Sequence, residues 1–314
     1  MKLSLTRALA LTAVGGLLLT GATACNRGGD SAGASNPKVV MALSTLNNPF
    51  FVEVRDGAQA AAKAANIQLE VVDAQNDSAT QANQLANAQT SGAKAVIVNP
   101  VDSDAASASV TALTKASIPV IGVDRTVNNA TLSSLVASDN VAGGKQAAEE
   151  LGAALGKKGT VIVLQGVAGT SASRDRGAGF AEGMKAFPDI KIVAKQTANF
   201  DRAAALDVTT NLLQANPGVT GVFAENDEMA LGAVQALGAK AGKDVKVVGF
   251  DGTTDGLAAI KAGTLVASIA QQPAKLGQFA VEQAAKVLKG DKIDATVPVG
   301  VVTVNKTNVG DFSK

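Results

Sequence analysis

An α/β fold of two similar lobes, each a mostly parallel sheet flanked by helices, is predicted by three features of this sequence. Short aliphatic runs alternate with stretches of roughly ten to fifteen residues of helical character, which implies βαβ crossovers and parallel pairing. The strands are too many for one parallel sheet of ordinary size, which implies two sheets. An internal echo points the same way. AVIVN and VIGVD, ending at Asn99 and Asp124, are matched by VFAEN and VVGFD, ending at Asn226 and Asp251, and the interval is twenty-five positions both times.

The elements follow in order from the run VVMALS at Val39, whose β-branched and aliphatic composition suits a buried strand. It breaks at Asn47-Asn48-Pro49, and a helix over residues 51–66 starts at once, with proline where a first helical turn needs no N–H. Strand 68–73, helix 79–91, strand 95–98, helix 104–116 and strand 119–123 come next, then a short run at 134–136. The second half repeats the alternation: helix 141–156, strand 160–164, helix 173–187, strand 191–194, helix 202–215 and strand 221–224. Helix 228–239, strand 246–250, helix 254–262, strand 265–270 and helix 273–288 complete it, and one extended stretch, 297–304, closes the chain.

Residues 1–25 stand apart from the fold. Lys2 and Arg7 give a positive start, residues 8–20 are apolar, and Ala22-Thr23-Ala24 precedes Cys25, the pattern of a secretory signal. The ending LLLTGATAC is similar to a bacterial lipoprotein signal, in which the cysteine becomes the lipidated first residue; an ordinary signal cleaved nearby is the alternative. Residues 26–37 are rich in glycine and serine and read as a flexible tether. The expectation is an extracytoplasmic protein, in the periplasm or at the cell surface, anchored to a membrane through Cys25.

Composition excludes several kinds of chemistry. Twenty-eight basic residues balance 27 acidic ones and are scattered, which argues against nucleic acid as a partner. Histidine is absent and cysteine occurs once, so neither a histidine-dependent triad nor a thiolate metal cluster can be built. AGGKQ at Ala142 lacks the first glycine and the final hydroxyl of a phosphate loop, and the acidic runs near Asp73 and Asp102 lack calcium-loop spacing. No metal, cofactor or catalytic residue is assigned. With no tryptophan or tyrosine, the nine phenylalanines are the whole aromatic inventory.

Polar residues end the apolar runs at Ser44, Asn99, Asp124 with Arg125, Asn226, Asp251 and Gln271. In open α/β sheets ligands sit beyond the carboxyl ends of the strands, so two facing lobes would bring these groups together. Carboxylates, primary amides and a guanidinium offer acceptors and paired donors without a dense positive cluster, which suits a neutral molecule rich in hydroxyls. Phenyl rings, with Phe50 and Phe51 beside Asn48 foremost, would cover its C–H faces. Each residue also has a plainer reading: Asn or Asp as a helix cap or turn residue, Arg125 and Arg174 as ion pairs with Asp124 and Asp175, Phe200 and Phe223 as core.

The blocks STLNNPFF, VNPVDSDA, GVDR, ASDNVAGG, LQGVAGTSASRDRG, AENDEMALGA and VVGFDGTTDG resemble, in order, the bacterial ribose-binding branch of the ABC-type sugar-binding family, which has the type I periplasmic-binding-protein fold. The similarity runs from about Lys38 to about Val304. It implies two Rossmann-like lobes joined by a three-crossing hinge that close on one sugar, D-ribose, and deliver it to an ABC permease. It also implies a monomer, with a chemoreceptor as a further partner. The ligand contacts it implies are Ser44, Asn48, Phe50, Phe51, Asn99, Asp124, Arg125, Arg174, Phe200, Asn226, Asp251 and Gln271. Hinge crossings are implied near 138–139, 271–272 and 299–301, so that one lobe takes 38–138 plus 272–299 and the other 139–271 plus 300–314. Glu225, before Asn226, departs from the family pattern. Allose, xylose, galactose, arabinose or a furanose-like signalling molecule are alternative ligands. A glycoside-processing enzyme using Asp124 and Asp251, or the sensing core of a transcription regulator, are the rival classes.

Overall fold

The computed structural model of the protein describes residues 36–312. The signal sequence, Cys25 and most of the tether lie outside the described residues. In chain order the elements are β1 (Lys38–Leu43), α1 (Pro49–Ala64), β2 (Gln68–Asp73), α2 (Ser78–Thr90), β3 (Ala95–Val98), α3 (Ser107–Lys115), β4 (Val120–Val123) and β5 (Ser134–Ser138). There follow α4 (Asn140–Ala154), β6 (Lys158–Gln165), α5 (Ser171–Met184), β7 (Asp189–Thr197), α6 (Arg202–Ala215), β8 (Gly221–Ala224) and α7 (Asp227–Leu237). The last are β9 (Lys246–Asp251), α8 (Thr254–Ala262), β10 (Ala267–Ala270), α9 (Pro273–Leu288), β11 (Thr296–Val299) and β12 (Val302–Asn305).

The strands form two six-stranded sheets, ordered β2-β1-β3-β4-β5-β11 and β7-β6-β8-β9-β10-β12. All pairings are parallel except β10 with β12. The identical order of the first five strands in each sheet is the structural form of the sequence echo: Asn99 and Asn226 follow equivalent strands, and Asp124 and Asp251 stand at the carboxyl ends of another equivalent pair.

The central strands of each sheet are buried on both faces, as parallel strands commonly are, while the edge strands β2 and β7 are partly exposed. Because side chains alternate along a strand, Val39, Met41 and Leu43 join the core under α1 and α9, while Val40 and Ala42 join the core under α2 and α3. In the second sheet Val161 and Val163 face α4 and α5, while Ile162 and Leu164 face α6 and α7.

Three segments pass from one sheet to the other. The chain leaves β5 for α4, which packs on β9 and β10; it leaves β10 for α9, which packs on β3, β4 and β5; and it leaves β11 for β12. The single extended stretch expected at 297–304 is thus two strands in different sheets, broken at Gly300. The helix expected from residue 104 begins at Ser107, because the Asp102 carboxylate accepts the N–H groups of Asp104 and Ala105 and holds a turn there.

Candidate functional site

The carboxyl ends of the two sheets face each other across a narrow crevice. The first sheet contributes Asn48, Phe50, Phe51, Asp124 and Arg125, and the second contributes Arg176, Phe200, Asn226 and Asp251. A wider mouth continues from it past Thr45, Asn76 and Asn199.

The local sequence explains how each side chain reaches the crevice. Asn48 caps α1 by accepting the N–H of Phe50 at 2.9 Å, which leaves its amide nitrogen uncommitted. The cap places Phe50 and Phe51 in the first turn, edge to face with ring centroids 5.1 Å apart. Both rings are buried and belong to the first sheet's core as well as to the crevice wall. Asn226 likewise caps α7, accepting from the N–H of Met229 at 2.9 Å and donating to the Phe200 carbonyl at 3.3 Å.

Asp124 and Asp251 have φ of 65° and 115°, and Phe200 has 58°. Non-glycine residues rarely adopt this region, and each instance costs of order 1–3 kcal/mol. Three occurrences around one crevice mark a place where side-chain direction outweighs backbone comfort.

Asn99 and Ser44 stand behind the crevice wall. Asn99 donates from Nδ2 to Asp124 Oδ2 at 3.1 Å and to the Val123 carbonyl at 3.2 Å, and its Oδ1 accepts the Ser44 N–H at 3.3 Å. Gln271 does the corresponding work in the second sheet, donating to Asp251 Oδ1 at 2.7 Å.

Arg174, expected among the ligand contacts, does not reach the crevice: its side chain is 53% exposed and pairs with Asp175 at 3.0 Å. Arg176 occupies the place instead. It is buried, donating to Asn140 Oδ1 at 2.8 Å and to the Glu225 carbonyl at 2.7 Å, and its guanidinium lies 3.4 Å from Asp251 Oδ1. Two residues apart on a helix is about 200°, so the two arginines point to opposite sides. Periodicity separates them: Arg176 shares a face with Ala172, Gly179 and Phe180, all small or apolar and all buried. Asn140 is a second residue the sequence reading missed, and nothing in its local pattern marks it.

Arg125 crosses the crevice, with its guanidinium 5.3 Å from the Phe51 ring centre and 5.5 Å from that of Phe200. Burial pushes its pKa down to about 10, against the pull of Asp124, so it stays charged at neutral pH. Burial pushes the Asp124 carboxyl up, against the pull of Arg125 and Arg176. Asp251 is pushed up to about 8, again by burial, with Arg176 opposing and the charge of Asp227 adding.

The polar inventory is incompletely paired. Asp124 Oδ1, Arg125 Nε and Gln271 Oε1 are buried without a hydrogen-bond partner; Arg125 Nε is 3.5 Å from Asp124 Oδ2, an ion pair without hydrogen-bond geometry. Among the described residues, no group of His, Cys, Asp and Glu is placed to hold a metal ion.

Two parallel-sheet lobes with a polar crevice at the facing strand ends define a solute-binding architecture. The chain belongs to the periplasmic binding protein domain family, which it matches over residues 39–292. Membership places its work outside the cytoplasm. It is 42% identical to the ribose import binding protein RbsB of Haemophilus influenzae over 92% of this chain and 98% of that one. It is 46% identical to RbsB of Escherichia coli over 85% of this chain and 90% of that one. A periplasmic solute-binding protein of an ABC transporter from Actinobacillus succinogenes, solved with bound D-allose, matches with a TM-score of 0.82 and 34% identity, covering 88% of this chain and all of that one. These relatives are binding proteins, and the chain is a binding protein rather than an enzyme.

Proposed function

We propose that this protein captures D-ribose between its two lobes and delivers it to an ABC importer in the membrane. The observation that carries this reading is the presence on crevice-lining residues of two buried polar atoms without a hydrogen-bond partner, Asp124 Oδ1 and Arg125 Nε. A buried polar atom without a partner costs about 1–3 kcal/mol, and sugar hydroxyls, which both donate and accept, relieve that cost. The ribose import relatives support this choice of sugar.

In this reading Phe50, Phe51 and Phe200 cover the C–H faces of the ring, while Asn48, Asp124, Arg125, Arg176, Asn226 and Asp251 hold the hydroxyls. Ser44, Asn99 and Gln271 fix the two aspartates from behind. The passages at 138–139, 271–272 and 299–301 act as the hinge between a lobe of 38–138 plus 272–299 and a lobe of 139–271 plus 300–314. The protein works as a monomer, tethered by a lipid on Cys25 and serving the permease and a chemoreceptor; a lipid-free Cys25 in the mass spectrum of the membrane-extracted protein would remove the tether.

Calorimetric titration with ribose, allose, galactose, xylose and arabinose tests the specificity. The expected result is tightest binding to ribose. Heat with another sugar and none with ribose would overturn the ligand and leave the class standing.

A further inference from the structure

Glu225, immediately before the crevice residue Asn226, is a carboxylate that does not itself line the crevice. It directly follows β8, is fully buried, and its Oε2 accepts both the N–H of Gly166 at 2.8 Å and the hydroxyl of Ser173. Gly166 is the first residue after β6, and Ser173 sits in the first turn of α5. A single carboxylate oxygen therefore ties down both ends of the intervening loop.

That loop makes hydrogen bonds across the crevice. The Gly169 carbonyl accepts the Ser103 N–H at 3.1 Å, Ser171 Oγ accepts the Thr126 N–H at 3.0 Å, and the Ser171 N–H donates to Ser103 Oγ at 3.3 Å. Ser103 and Thr126 follow β3 and β4, so all three bonds join one lobe to the other. The approach is tight: at Gly169, with φ of +86°, a Cβ would lie 1.9 Å from Asp102 Oδ2. At the loop's other end Gly166 lies against Phe200, where a Cβ would fall 2.0 Å from the ring.

We infer that Glu225 is a positioning residue for ligand capture: it sets the 166–173 loop, and through that loop the hydrogen bonds that close the crevice and the seat of the Phe200 ring. The inference rests on the reading of the crevice as one that closes on a ligand. Its reach extends to residues on the opposite lobe, which Glu225 does not touch. A carboxylate with only a local structural role has no such reach.

Amide hydrogen exchange in the full-length, sugar-free protein tests it, comparing wild type with Glu225→Ala and Glu225→Gln. With Glu225→Ala, exchange at the Ser103 and Thr126 amides rises roughly tenfold or more, while the amides of β1 and β3 in the same lobe keep wild-type protection. Glu225→Gln, which keeps one oxygen for both donors, restores protection at Ser103 and Thr126. If Glu225→Ala does not fold, Ser173→Ala, which removes one of the two anchors, shows the same localised rise in smaller measure. Wild-type protection of both amides, or a uniform rise over both lobes, overturns the proposal. A calorimetric arm uses the sugar that wild type binds: affinity falls roughly tenfold in Glu225→Ala and recovers in Glu225→Gln, as a smaller closed fraction requires. Because exchange is read without sugar, failure of the protein to bind ribose would count against the ligand alone.

Discussion

Arg176 and Arg174 are two positions apart in the chain and opposite in circumstance. Arg176 is buried and engages Asn140, Glu225 and Asp251 from its guanidinium; Arg174 is half in solvent, with Asp175 for company. Exposed pairs contribute little, whereas removing a buried, hydrogen-bonded charge from a binding site commonly costs about 2–5 kcal/mol. Arg176→Ala is therefore expected to weaken sugar binding by about that amount in calorimetry. Arg174→Ala should stay within about 0.5 kcal/mol of wild type. Comparable losses in the two variants would mean that the crevice assignment of Arg176 is wrong. The same contrast applies to the asparagines: Asn99 and Asn226 hold equivalent positions, yet Asn226 caps a helix while Asn99 buttresses an aspartate.

At the scale of elements, the approach of α5 to α4 decides where Arg176 lies. Gly144 of α4 faces the Arg176 carbonyl and Gly179 of α5 faces the Val141 carbonyl; a Cβ would fall 2.2 Å and 2.1 Å from those oxygens. The helices cross backbone to backbone, and this contact brings Arg176 within reach of Asn140. Gly144→Ala forces backbone to yield rather than a flexible side chain, at a cost of about 1–3 kcal/mol. The expected outcome is a lower melting temperature together with weaker sugar binding, since the displaced helix carries Arg176. Lower stability with unchanged affinity would uncouple the helix crossing from the site.

For the whole molecule, pH is the most direct probe. Burial raises the carboxyls of Asp124, Glu225, Asp227 and Asp251, the last three to about 7, 6 and 8. A group whose folded pKa exceeds its unfolded value favours the fold fully below the unfolded pKa, and that contribution is lost as pH rises through the folded pKa. The sugar-free protein is thus expected to lose stability between about pH 4 and about pH 8, measured by urea unfolding. Glu225→Gln should flatten the part of the slope near pH 7, while a stability that rises over this interval would mean that these carboxyls are ionised in the fold.

The sequence by itself determined the alternation of strands and helices, the division into two sheets and the polar strand ends, because each depends on local periodicity and on the carboxyl end of a parallel strand being open. The bounds of α6, α8 and α9 were legible to the residue, and so was the equivalence of Asn99/Asp124 with Asn226/Asp251. Tertiary structure alone decided which of two neighbouring arginines enters the crevice, that Asn140 supports it, and that the last extended stretch divides between sheets. It also decided that Glu225 holds a loop reaching across to Ser103 and Thr126. These depend on how helices approach one another and on contacts between residues far apart in the chain, and neither leaves a periodic trace in the sequence.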